Sequence, residues 1–495
     1  MFDWNAGKIL NVPAGLFIDG QWTRGEGGAS FSSLDPTTGE VFAHVTDADA
    51  REVDTAIGAA VRAQPGWAAL PPAARAAMFY EAAELFKDRQ DQFAQALIRE
   101  TGSGHGKAMF ECSQIPLALR EVAGLATRDI GEILPSQVPG KYNRTYRTPA
   151  GVIGVITPWN FPLYLSIRGI VYALALGNTV VLKPSEDSPV TGGLMIAELF
   201  ADAGFPAGVL NVVTTSRDRA PIVGEAFIKD PRVKVISFTG STKVGQMLAT
   251  ACAPIFKPMV LELGGKNPTI IMEDADIDRA VDVAFFGKFL HQGQICMSCD
   301  KVLVARPVYD TFLEKLVAKT RNFAPTNPAD QTCVIGPMIN ERALQRVKAM
   351  VDEAVAKGAK VHCGGNSKGP YYEPTVLSAV TSEMAVWIDE IFGPVVTVTP
   401  FDTVGEAVAM ANDTPYGLSA SIVTANPMIG EMLAERIHAG MVHVNDSTVH
   451  DEPHAPFGGL GASGGGGRWG PKGAIEAYTV QRWIATQREP RALPF

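Results

Sequence analysis

The chain of 495 residues, 46% hydrophobic and 19% charged, has the composition of a globular protein with two or three cores, which excludes disordered and fibrous classes. Its formal net charge of -9 leaves no basic stripe for phosphates, so neither nucleic acid nor an anionic membrane surface is an expected partner. Residues 1–10 lack the basic start and apolar run of a secretory signal, and no apolar stretch reaches the roughly 18 residues of a membrane span. Helical patterns dominate the first 135 residues. Residues 49–69, capped by Asp49, and residues 71–101, opened by Pro71 and Pro72, carry apolar side chains at three- and four-residue spacing. From about residue 145, short apolar runs alternate with helical segments. Strands are predicted at 152–157, 179–182, 211–214 and 233–238, and helices at 163–176 and 190–203. This alternation predicts a parallel sheet covered by helices, a Rossmann-like layer that binds ligands at the carboxyl ends of its strands. A second series begins near Thr269 and runs through 301–305, 395–400, 419–424 and 440–445, which reads as a second α/β domain. Residues 134–147 and the tail from 478 are polar, extended and fit neither core. They read as a small β-ribbon that pairs between subunits.

Six cysteines are too few for a disulfide scaffold, so a reducing cytoplasm is the expected setting. Cys112, Cys252, Cys333 and Cys363 read as buried structural thiols. Cys296 differs, because it lies in a Gly-Gln turn (Gly293-Gln294-Ile295-Cys296) after a helix. Cys299 completes a C-x-x-C with it, but zinc would need a second pair, so no metal is expected. A reversible Cys296–Cys299 disulfide under oxidation is one expectation.

Five further motifs precede or follow that turn. They are Thr157-Pro158-Trp159-Asn160-Phe161-Pro162, Lys183-Pro184-Ser185-Glu186, Phe238-Thr239-Gly240-Ser241-Thr242 with Gly245, Glu262-Leu263-Gly264-Gly265-Lys266, and Glu390-Ile391-Phe392-Gly393-Pro394. In this order the set resembles the aldehyde dehydrogenase superfamily over essentially the whole chain. The resemblance implies a cofactor domain of residues 1–133 and 148–260, a catalytic domain of residues 261–477, and an oligomerisation ribbon of residues 134–147 and 478–495. A homodimer or homotetramer acting on a small-molecule aldehyde is the implied assembly.

The chemistry needs these residue types. An aldehyde gives up a hydride only after a soft nucleophile has added to it, so the site requires a thiolate, an oxyanion donor and a base for the resulting thioester. The resemblance makes Cys296 the nucleophile, Glu262 the base that activates water, and Asn160 the neutral amide that donates to the oxyanion. Taken alone, Glu262 could be a solvated surface carboxylate and Asn160 a turn cap before Pro162. No G-x-G-x-x-G is present. Gly240 and Gly245 instead bracket a strand-to-helix turn suited to a pyrophosphate, with Ser241 and Leu263 beside it. Lys183 and Glu186 would hold the adenosine ribose, which favours NAD over NADP because a carboxylate repels a 2′-phosphate. Thr157, Trp159, Glu390 and Phe392 would complete the cofactor site, although the segment from Phe392 to Pro394 alone reads as a turn.

By the same resemblance Phe161, Leu165, Ile295, Met297, Val449 and Phe457 line an apolar substrate channel. Residues 445–457 and the stretches 462–464 and 468–470 look like those of benzaldehyde-, vanillin- and salicylaldehyde-type dehydrogenases, so an aromatic aldehyde is expected. Arg168 is ambiguous. It could orient a ring hydroxyl, or lie in a structural ion pair. Succinate-semialdehyde dehydrogenases carry an Arg at this spacing plus a second one at the position of Leu290, so that alternative lacks half its clamp. A CoA-acylating relative would lack Glu262. A non-catalytic relative would lack the intact trio. Trp469 stands where many relatives carry a Glu implicated in proton relay, which puts that relay in doubt.

Overall fold

The computed structural model describes residues 15–25, 27–128, 131–493 and 495. Asp49 caps helix Ala50–Ala69 through a reciprocal box. Its carboxylate accepts from the N–H of Arg51 and Glu52, while Glu52 accepts from the N–H of Asp49 at 2.8 Å. Helix Pro72–Thr101 starts at a proline, as expected, and a third helix, His105–Leu125, packs along it. The described residues before Asp49 are not helical. They form four short strands, Leu16–Ile18, Gln21–Thr23, Ser30–Leu34 and Val41–Thr46. The readable signal was Asp19-Gly20, both at positive φ (53° and 75°), which closes a two-residue hairpin.

The first sheet has eight strands in the order Gln21–Thr23, Leu16–Ile18, Leu210–Val212, Thr179–Lys183, Val152–Ile156, Val233–Thr239, Met259–Glu262 and Gly464–Gly465. Its five central strands are parallel, and their near-continuous Val/Ile/Leu runs are buried on both faces. The second sheet has seven strands in the order Lys360–Cys363, Thr375–Ser378, Val395–Phe401, Lys301–Ala305, Thr269–Ile271, Ser419–Val423 and Met441–Val444. The α/β class and both parallel layers match the sequence reading. The chain division is less simple than expected. Gly464–Gly465 pairs antiparallel with Leu261 and Glu262, and helix Pro471–Tyr478 packs on helix Pro162–Ala175. The end of the expected second domain therefore returns to the first sheet, where Val449, Phe457, Trp469 and Tyr478 join its core.

The two ribbon segments pair with each other. Thr479–Gln487 runs antiparallel to Lys141–Pro149, which in turn pairs with Gly131–Leu134. Among the described residues, no helix is long and apolar enough to cross a membrane.

Candidate active site

Helix Pro162–Ala175 begins directly after Asn160 and Phe161, with Pro162 fixing its first turn, and all its residues are buried. Leu165 and Arg168, three apart on one face, project into a cleft with Asn160 and Phe161. The turn Ile295-Cys296-Met297 forms another wall, and Val449, Asp451 and Phe457 a third. All seven expected pocket residues line this cleft. Phe110 and Gln114 from helix His105–Leu125, together with Tyr164, His450 and Asp451, also line it and were not foreseen. Cys296 is partly exposed in the cleft.

The Cys296 turn is held in an unusual backbone path. His291, Gln292 and Gly293 are consecutive left-handed residues (φ 50°, 55° and 69°). Side chains pin this path from outside. Gln292 Nε2 donates to the carbonyls of Pro337 (2.8 Å) and Gly102 (3.2 Å), and Gln294 Oε1 accepts from the N–H of Ile339 (3.0 Å). Asn267 Nδ2 donates to the carbonyls of Cys296 (2.7 Å) and Ser298 (2.8 Å). Gly265 lies so close that a Cβ there would overlap the Cys296 carbonyl oxygen, which explains a glycine after Glu262.

Asn160 is buried, and its Nδ2 donates to the Gln294 carbonyl at 2.9 Å, leaving a second N–H on that nitrogen. Glu262 ends strand Met259–Glu262, is 2% exposed, and its Oε1 has no hydrogen-bond partner among the described residues. Burial drives its carboxyl pKa well above the usual value, and the Arg168 cation only partly opposes this. Burial also drives the Cys296 thiol upward, assisted by the charges of Glu262 and Glu390 and opposed by Arg168. Burial thus pushes both groups toward their neutral forms, and their charges act on each other and on one guanidinium.

That guanidinium lies 3.8 Å from the Phe457 ring centroid and 4.4 Å from that of Trp469, two rings whose own centroids are 6.1 Å apart, so they flank it at an angle and not on opposite faces. Its Nη1 pairs with Asp451, while Nε and Nη2 are buried without a hydrogen-bond partner. The ion-pair reading of Arg168 is therefore met inside the cleft, not on the outer surface. Trp469 is an apolar wall behind it.

The carboxyl ends of the first sheet's strands carry Thr157, Trp159, Lys183, Glu186, Gly240, Ser241 and Leu263, while Glu390 and Phe392 come from the loop before Val395–Phe401 of the second sheet. Lys183 Nζ lies 3.4 Å from Glu186 Oε2, and Arg217, which was not foreseen, grips Glu186 Oε1 at 2.7 Å. Ser241 caps helix Thr242–Cys252, and Gly240 precedes this helix N-terminus. Gly245 packs directly on the Leu263 side chain. Thr157 donates its N–H to the Lys183 carbonyl (3.2 Å). Trp159 meets Phe392 edge to face at 5.6 Å, and Glu390 accepts from the Gly265 N–H at 3.1 Å. Burial raises the Glu390 carboxyl to about 7. A buried ammonium, carboxylates for ribose hydroxyls and an open helix N-terminus form a donor set that fits a dinucleotide.

A buried triad fixes the Glu390 loop to the Cys296 turn. Asp300 accepts from Lys288 (2.6 Å), Lys266 (3.2 Å) and the Ile391 N–H (2.7 Å). Burial opposes ionisation of Asp300, but the two ammonium groups outweigh it and hold its pKa below the usual range. Cys299, by contrast, turns into the second core and bonds Thr269 Oγ1 at 3.1 Å. The expected Cys296–Cys299 disulfide is therefore not prepared, because the two side chains belong to different clusters. Among the described residues, no cluster of His, Cys, Asp and Glu could hold a metal ion.

Comparison with known proteins agrees over nearly the full length. The Aldehyde dehydrogenase family profile matches residues 22–484. A benzaldehyde dehydrogenase of Pseudomonas putida is 43% identical over 97% of this chain and 98% of its own length. A vanillin dehydrogenase of Corynebacterium glutamicum is 43% identical over 95% of this chain and 97% of its own length. The crystal structure of a salicylaldehyde dehydrogenase from Pseudomonas putida G7, complexed with salicylaldehyde, superposes with a TM-score of 0.95 at 35% identity, covering 97% of this chain and 99% of that one. The chain belongs to the aldehyde dehydrogenase family.

Proposed function

We propose that this NAD(P)-dependent enzyme oxidises aromatic aldehydes to carboxylic acids, with NAD the preferred cofactor. The observation that carries the reading is the cleft itself, in which Cys296 is walled by Phe110, Phe161, Tyr164 and Phe457 with aliphatic side chains between them. Relatives named for benzaldehyde, vanillin and salicylaldehyde support it. Cys296 gives its thiol proton to water in the cleft, the thiolate Sγ adds to the aldehyde carbon, and the charge on the aldehyde oxygen is met by the second N–H of Asn160 Nδ2 and the Cys296 backbone N–H. Bound NAD(P)+ supplies the hydride acceptor, which leaves a thioester on Cys296. Glu262 then takes a proton from water, whose oxygen attacks the thioester carbon and frees the acid and the Cys296 thiolate. Lys183 and Glu186 hold the adenosine ribose, Gly240, Ser241, Gly245 and Leu263 the phosphate turn, and Thr157, Trp159, Glu390 and Phe392 the nicotinamide end. Exposed Ile133, Val480 and Trp483 on the ribbon support assembly into a homodimer or homotetramer.

The test is reduced-cofactor production from benzaldehyde, vanillin, hexanal and succinate semialdehyde, with Cys296→Ala alongside. Aromatic aldehydes should lead in kcat/KM and the variant should be inactive. A lead for hexanal or succinate semialdehyde overturns the aromatic reading. An active Cys296→Ala enzyme overturns the nucleophile.

A further inference from the structure

The aromatic cleft ends in a charged pair that its chemistry does not require. Arg168 is 2% exposed, has its guanidinium packed against the rings of Phe457 and Trp469, and pairs through Nη1 with Asp451. Its Nε and Nη2 remain buried without acceptors. Leaving two donors of a buried cation unmet is costly, so an acceptor is expected to reach them. Both partners line the cleft that holds Cys296. The Asp451 carboxylate also reaches Tyr164, another residue of the cleft wall, through its charge.

From this juxtaposition we infer that Asp451 is a specificity-determining residue. Together with Arg168 it forms a donor-acceptor end that takes a neutral ring hydroxyl and rejects a ring carboxylate. The inference rests on the aromatic reading above and narrows it to hydroxylated aromatic aldehydes. A phenol hydroxyl accepts from the free Arg168 N–H groups and donates to Asp451, so it satisfies both. A methoxy group only accepts. A carboxylate accepts from Arg168 but meets the Asp451 charge, and that repulsion in a dry cleft cancels the attraction. Without Asp451 the same guanidinium would be a carboxylate anchor, as Arg is elsewhere. The residue thus sets the sign of the cleft's charge preference.

The test compares benzaldehyde, the three hydroxybenzaldehydes, 4-methoxybenzaldehyde, and 3- and 4-carboxybenzaldehyde on wild type, Asp451→Asn and Asp451→Glu. Ratios of kcat/KM within one preparation cancel any loss of folded enzyme. In wild type a hydroxybenzaldehyde should exceed benzaldehyde, and the carboxylated aldehydes should fall below it. Asp451→Asn should raise a carboxylated aldehyde relative to benzaldehyde by about 10- to 100-fold, mostly through KM. Asp451→Glu keeps the charge and should keep the wild-type order. A wild type that turns over carboxybenzaldehydes as well as benzaldehyde overturns the inference, even if neither variant folds. So does Asp451→Asn with unchanged ratios. If no aromatic aldehyde is oxidised while hexanal is, the aromatic reading has failed first.

Discussion

Asp300→Asn tests whether the site is held from behind by buried charge. Asp300 is 1% exposed, with Lys266 and Lys288 each fully buried against it. The amide keeps an oxygen acceptor but loses the negative charge, so two desolvated ammonium groups face each other with no counterion between them. Removing one partner of a buried ion pair costs about 3–5 kcal/mol, and the Ile391 N–H bond weakens as well. Urea unfolding should register that loss. The active site should register it too, because Asp300 ties Ile391 to Lys266, between Glu390 and the turn after Glu262. The KM for NAD+ should therefore rise while the substrate ratios stay fixed. A triple variant, Lys266→Met, Lys288→Met and Asp300→Leu, should recover much of the stability, since well-packed apolar groups replace buried ion networks without penalty. A loss in Asp300→Asn below about 1 kcal/mol, or a triple variant weaker than the single one, would refute the reasoning.

The remaining predictions use the same site. Because burial pushes the pKa values of both Cys296 and Glu262 upward, kcat/KM should climb from neutral to alkaline pH, and a profile flat across this range contradicts the assigned roles. Glu262→Gln should give one turnover of reduced cofactor and then stall as an acyl-enzyme, visible as an adduct on intact-protein mass spectra, whereas sustained turnover removes Glu262 as the base. Arg217→Ala should lower the NADP+/NAD+ ratio of kcat/KM by about tenfold, because a 2′-phosphate loses its nearest guanidinium, and an unchanged ratio places the ribose elsewhere. Glu100 titrates at about 7 in the fold against a usual 4.5, raised by burial although the Val190 and Thr191 N–H groups bond it. Its contribution to stability is complete below 4.5 and is lost as pH rises through 7, so Glu100→Gln should flatten stability against pH between those values. A curve identical to wild type excludes Glu100 as the titrating group.

The sequence alone determined the two parallel layers. Strands such as Val152–Ile156, Thr179–Lys183 and Lys301–Ala305 are buried on both faces, so their apolar runs are local and readable. Cys296, Glu262 and Asn160 were also legible, because each sits in a short local motif that carries the family resemblance, although Glu262 and Asn160 taken alone stayed open. The ambiguity of Arg168 was different in kind. Its partner Asp451 is 283 residues away, and whether a guanidinium is an anchor, a surface charge or half of a neutral pair depends on distance and burial. The same holds for Asp300 with its two lysines, for Arg217 on Glu186, and for Cys299, whose spacing suggested a disulfide that its side-chain direction does not prepare. Gly464–Gly465 offered no apolar signal for a strand that closes the first sheet beside Glu262. Local pattern reports what each segment needs buried. Charge pairing, strand adjacency and desolvation act between segments, so only the tertiary structure decided them.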